Sequence, residues 1–187
     1  MNYLLPVAIS AMLLLNGCYT PIIEGAQEGY DAMRRDPLQS AAAKGDPAAQ
    51  YKLGDTWCCQ GGGPLDKMTI YDNHKATEWY CRAARQGYAP AQLRLAQIYS
   101  GHPIHGVHIA LRASALVDTV QTDLGVALMW AKLAATHGDE DATELRDRIM
   151  ADATDKDRAR AATLAKNWHA APCRWAEVFP SSTANAK

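Results

Sequence analysis

The stretch Ala76-Thr77-Glu78-Trp79-Tyr80-Cys81-Arg82-Ala83-Ala84-Arg85-Gln86-Gly87-Tyr88-Ala89-Pro90-Ala91-Gln92-Leu93-Arg94-Leu95 decides the fold. Ala76, Trp79 and Ala83 are spaced i, i+3, i+7, which puts them on one stripe of a helix. Small residues on that stripe let helix axes approach, and the tryptophan fills the space that remains. Gly87 marks the stop, because glycine readily takes the left-handed conformation at which helices end. A second helix follows at once, with Ala91, Gln92 and Leu95 along its face.

The same pattern recurs on either side. Ala41-Ala42-Ala43-Lys44-Gly45, Ala83-Ala84-Arg85-Gln86-Gly87 and Ala134-Ala135-Thr136-His137-Gly138 share Ala-Ala-x-x-Gly, at steps of 42 and 51 residues. Ala49-Gln50 and Leu53 repeat the downstream face, and Ala127 with Trp130 repeat the upstream stripe. A helix closed by glycine, a short turn and a second helix form the unit of a solenoid. Composition agrees: 34 of the 187 residues are Ala and one is Phe, which favours close-packed helices over a sheet. With 19 Lys plus Arg against 20 Asp plus Glu, the chain has no bulk positive charge for gripping nucleic acid. A hydrophobic share of 48% excludes long disorder.

Taken together, Ala76, Trp79, Tyr80, Ala83, Ala84, Gly87, Ala91, Gln92 and Leu95, followed by Tyr99 and Gly101, resemble the motif of the Sel1-like repeats, relatives of the tetratricopeptide repeat. The resemblance spans about residues 38 to 168 and implies an all-α, right-handed α-solenoid of antiparallel helix pairs, with about three repeats and long intra-hairpin loops. Those loops are Gln60 to Asn73, with Gly61-Gly62-Gly63-Pro64, and Ser100 to Thr122. The third copy is degenerate, since Arg146 stands where Leu53 and Leu95 stood. Glu140 to Met150 and Lys156 to Trp168 read as a closing hairpin, and residues 169–187 as a C-terminal tail. The resemblance further implies a concave face that includes Tyr51, Asp55, Leu93, Gln97 and Ser100, with the loop from His102 to His108 at its edge. Its ligand would be another protein, with neither a cofactor nor a nucleic acid. Two roles of the family suit a small exported chain: an immunity protein that neutralises a secreted toxin, such as a lipase delivered by type six secretion, or an adaptor in an envelope assembly.

Residues 1–17 carry no charged side chain and contain an apolar run from Leu4 to Leu15, as in a signal peptide. Leu15-Asn16-Gly17-Cys18 resembles the bacterial lipobox, in which the cysteine sulfur takes the lipid. Asn16 and the uncharged start depart from that pattern. Cys18 would then be the lipidation site and residues 18–37 a tether, broken by Pro21, Gly25 and Gly29. Tyr19, standing where an Asp would retain a lipoprotein at the inner membrane, implies the periplasmic face of the outer membrane. In that oxidising compartment Cys58, Cys59, Cys81 and Cys173 are disulfide candidates. Of the three connectivities, the one that joins the adjacent pair is strained. Cys81 is therefore expected to pair with one of the two neighbours and Cys173 with the other, pinning Trp175 and Phe179 onto the first helical pair.

A zinc site from Cys58, Cys59, Cys81 and a His lacks a paired Cys-x-x-Cys spacing, and His102-x-x-His105-x-x-His108 is the most suggestive cluster of metal-ligand residue types. Three imidazoles can bind zinc or copper if the segment wraps the ion, which would suit a metal-binding or hydrolytic envelope protein. Pro103 and Gly106 place them in a loop, where solvated histidines are the plain alternative, and no metal is assigned. No Gly-x-Ser-x-Gly is present, and Gly61-Gly62-Gly63 lacks the Lys and Ser or Thr of a phosphate loop. The expectation is a non-enzymatic binding protein.

Overall fold

The computed structural model describes residues 33–58, 72–101 and 121–180. Residues 33–43 form α1, followed by α2 (Pro47–Asp55), α3 (Asn73–Ala84), α4 (Ala89–Ser100), α5 (Leu124–Ala135), α6 (Glu140–Asp152) and α7 (Asp155–Ala165). A 3-10 turn, Trp168–Ala170, leads to the short α8, Trp175–Val178. No strand occurs among the described residues. The helices stack in sequence: α2 on α3, α3 on α4, α4 on α5, and α5 on both α6 and α7. This is the expected all-α solenoid.

Local chemistry sets the boundaries. Asp46, Asp72, Asp123 and Asp139 each precede a helix and accept amide hydrogen bonds from Ala48, Lys75, Val126 and Ala142 at 2.8–3.1 Å. Such caps satisfy donors that the first turn leaves open. At α7, Thr154 and Asp157 form a reciprocal capping box. Gly45, Gly87 and Gly138, the glycines of the recurring motif, all have φ between +80 and +97°. The motif is thus a helix stop followed by a capped restart.

Ala76, Ala83, Ala84, Ala91, Leu95, Ala127, Trp130 and Ala134 are buried, as the stripe requires. Trp79 is only half-buried. It packs on Ala42, Ala49 and Leu53, a cluster too small to enclose an indole, and the Arg82 guanidinium lies 4.2 Å over its ring. Its neighbour Tyr80 takes the fully buried position. The buried Gln50 and Gln92 explain the recurring Ala-Gln. Each donates its amide to a carbonyl at the end of the preceding helix, Ala42 and Ala84 respectively, at 3.1 and 3.2 Å.

Three expectations need correction. The tether was placed at 18–37, yet residues 33–37 are helical and Arg35 is buried, donating to the Thr56 carbonyl at 2.7 Å. The two helices of the closing hairpin exist, but each packs mainly on α5, a larger apolar surface than either offers the other. The cysteine pairing also differs. Cys81 bonds to Cys173, with Cα atoms 5.4 Å apart and a sequence separation of 92. Cys81 lies one turn beyond Thr77 on the side of α3 that receives the tail, which brings Cys173 within bonding distance. Cys58 is itself disulfide-bonded, and its partner lies outside the described residues. Trp175 and Phe179 do pack onto the helices, around Tyr99 of α4.

Candidate protein-binding surface

Tyr51 and Asp55 lie one turn apart on α2, and Arg94 and Gln97 one turn apart on α4. Packing of α2 and α4 on α3 brings the two pairs together around Tyr80. The Tyr80 hydroxyl donates to Asp55 Oδ1 at 2.6 Å. The Arg94 guanidinium sits 3.4 Å from the same carboxylate oxygen and donates to the Tyr51 hydroxyl at 3.0 Å and to Gln97 Oε1 at 3.4 Å. Tyr51 also contacts the rings of Tyr80 and Tyr88, each with centroids 5.7 Å apart.

Burial pushes the Tyr80 phenol well above its ordinary range, and the Asp55 carboxylate beside it adds to the effect. Burial raises Tyr51 too, although the Arg94 cation opposes it. Both hydroxyls therefore stay protonated at neutral pH, Tyr80 donating to Asp55 and Tyr51 accepting from Arg94. Arg94 is 17% exposed and Asp55 27%, so the pair is partly desolvated and its geometry is held by three tyrosines. Such a patch can grip a protein surface: tyrosine and arginine on a rigid scaffold are the residue types that dominate binding energy.

Of the five face residues expected from sequence, Tyr51, Asp55 and Gln97 come together here. Leu93 is half-buried against the core, and Ser100 is nearly buried, donating to the Gln97 carbonyl at 3.2 Å. Arg94, Tyr80 and Tyr88 were not foreseen as members. A lone cation in an otherwise apolar helix was the signal available for Arg94. Cys18, Cys59, His102, His105 and His108 lie outside the described residues. Among the described residues no group of three or more His, Cys, Asp or Glu is placed to hold a metal ion. A cleft of about 290 Å³ is lined by His74, Glu78 and residues 174–177, at the lower edge of the roughly 300–1,000 Å³ of small-molecule sites.

A stacked-hairpin solenoid bearing a preformed polar and aromatic patch defines a repeat scaffold for binding proteins. The family model for the Sel1 repeat matches residues 47–88 and 117–139. The first match runs from α2 through α3 to Tyr88, so the long connection of residues 56–72 falls inside the repeat unit, as expected. The crystal structure of c5321, a protective antigen present in uropathogenic Escherichia coli strains displaying an SLR fold, is similar in fold, with a TM-score of 0.51 and 24% identity. The likeness covers 78% of this chain and 29% of that one, so this chain spans less than a third of its length. No curated protein matches the chain. The two matched segments are Sel1-like repeats, and Sel1 repeats are protein-interaction modules.

Proposed function

We propose that this chain is a non-enzymatic binding protein, held by a lipid on Cys18 at the periplasmic face of the outer membrane, that neutralises a secreted toxin by gripping it with the Arg94-centred patch. The observation that carries the reading is the patch itself: Tyr51, Asp55, Arg94 and Gln97 are locked before any partner arrives, which reduces the ordering cost of binding. The apolar segment before Cys18 supports export and lipidation.

The test is genetic and biochemical together. Deleting the gene for this chain should make cells sensitive to toxin-delivering siblings, and the wild-type chain should restore protection. A chain carrying Tyr51→Ala and Gln97→Ala, both on the patch but outside the core, should fold and yet fail to protect. Deletion without sensitivity discards the immunity reading. Metabolic labelling with an alkyne fatty acid, lost on Cys18→Ala, reads out the anchor separately.

A further inference from the structure

Residues 171–175 are held by helix side chains that address their main chain. Arg85 of the α3–α4 turn donates to the Ala171 carbonyl at 3.2 Å, and Trp130 Nε1 of α5 reaches the Pro172 carbonyl at 3.4 Å. The Tyr99 hydroxyl of α4 donates to the Cys173 carbonyl, and the Thr77 hydroxyl of α3 accepts the Trp175 amide at 2.9 Å. Four side chains from successive helical elements thus read four positions of one short run. Contacts to backbone give affinity for an extended segment, and pockets for its side chains give selectivity. Here Trp175 and Phe179 supply the selectivity by flanking the Tyr99 ring at 6.2 and 5.9 Å, and Cys173, fully buried, supplies a covalent bond to Cys81.

We propose that the face formed by α3, α4 and α5 is a peptide groove occupied in cis by the C-terminal tail, and that it accepts in trans a segment with the tail's own pattern, Pro-Cys-x-Trp-x-x-x-Phe, which enters extended and turns helical at the Trp. The occupant follows from the fit of the tail, whose main chain is bonded at Ala171, Pro172, Cys173 and Trp175. The groove shares no residue with the Arg94 patch, and the inference does not rest on the toxin reading.

The probe is a synthetic peptide of residues 168–180. In a buffer containing oxidised glutathione, the Cys81 thiolate of the full-length Cys173→Ser chain attacks the glutathione disulfide, forming a mixed disulfide and releasing one glutathione thiolate. The peptide's cysteine thiolate attacks the Cys81 sulfur, a Cys81–peptide S–S bond forms, and glutathione leaves as its thiolate. Mass mapping should find the adduct on Cys81 at about tenfold the yield of a scrambled peptide whose cysteine keeps its place, a preference of about 1.4 kcal/mol. Adding Trp175→Ala and Phe179→Ala to the chain weakens the cis occupant and should raise that yield further. The wild-type chain supplies a control free of substitutions. Dithiothreitol takes the two-electron oxidation by closing to its cyclic disulfide, leaving Cys81 and Cys173 as thiols, and after its removal reoxidation by oxidised glutathione, itself reduced to two thiols, with excess peptide should divide Cys81 between tail and peptide. Equal yields from native and scrambled peptides overturn the proposal, because Cys81 is then merely a reachable thiol. Absence of adduct in every chain overturns it too, because the tail is then a permanent part of the fold.

Discussion

Gly54 sits where α2 crosses the ring of Tyr80. A Cβ on Gly54 would lie 2.6 Å from Tyr80 Cε1, and the ring cannot withdraw because it is fully buried and its hydroxyl is tied to Asp55. Gly54→Ala should therefore cost about 1–3 kcal/mol, as overpacking does, seen as a lower thermal midpoint by circular dichroism. The double variant with Tyr80→Leu should lose less than the sum of the two single losses, since the clash partner is gone. Asp55 works in the opposite sense, as the acceptor for two buried donors. Asp55→Ala strands the buried Tyr80 hydroxyl and removes the carboxylate beside Arg94, which keeps Tyr51 and Gln97 as acceptors, and should cost about 2 kcal/mol in urea unfolding, whereas Asp55→Asn, which keeps an acceptor oxygen, should cost less. Equal losses for the two substitutions would mean that the network contributes nothing. This network was only partly legible in the sequence. Tyr51, Asp55 and Gln97 could be placed on a face by resemblance, but an arginine in a helix reads as a solvated charge. Only the packing of α2, α3 and α4 puts Arg94 among three tyrosines.

At the scale of single helices, the readable signals are those a chain carries locally. A glycine that must take a positive φ and an alanine stripe at i, i+3, i+7 act within about ten residues, and both appear where the spacing put them. Register against a neighbour is different, because the neighbour decides it. In α6 the position matching Leu53 and Leu95 is Arg146, which reads as a failed repeat. The helix instead turns slightly and buries Ala142, Leu145 and Ile149 against α5, leaving Arg146 half-exposed beside Asp147 at 2.8 Å. Leu145→Ala should then cost about 2–5 kcal/mol through loss of burial and the cavity left behind. Arg146→Leu, which restores the motif on paper, should fall within about ±0.5 kcal/mol because it gains no enclosed site. Denaturant midpoints of the two variants decide it: a clear gain from Arg146→Leu would show that the register had not slipped.

Over the whole molecule, the question is how an open-ended stack closes. The tail does this at one face by bonding to three helices and pairing Cys173 with Cys81, a connection that spacing could not reveal because it depends on which side of α3 meets the returning chain. Its far end is fixed electrostatically. Burial alone would raise the Glu177 carboxyl, but the amides of Arg174 and Cys173 at 3.1 and 3.0 Å and the Arg174 guanidinium outweigh it and hold the carboxyl below its ordinary value of 4.5. Arg85 adds a further cation at 3.6 Å. A folded-state value below the unfolded one means that the ionised form favours folding. The contribution is complete at neutral pH and is lost as pH falls below the ordinary value and through the depressed folded one. Asp157, lowered by the hydroxyl and amide of Thr154, behaves in the same way at α7, so acid should loosen both places. Glu177→Gln removes the charge but not the shape. The variant should melt earlier than the wild type at pH 7, and its thermal midpoint should fall less between pH 7 and pH 3. Parallel falls in the two chains would show that Glu177 does not anchor the tail through its charge.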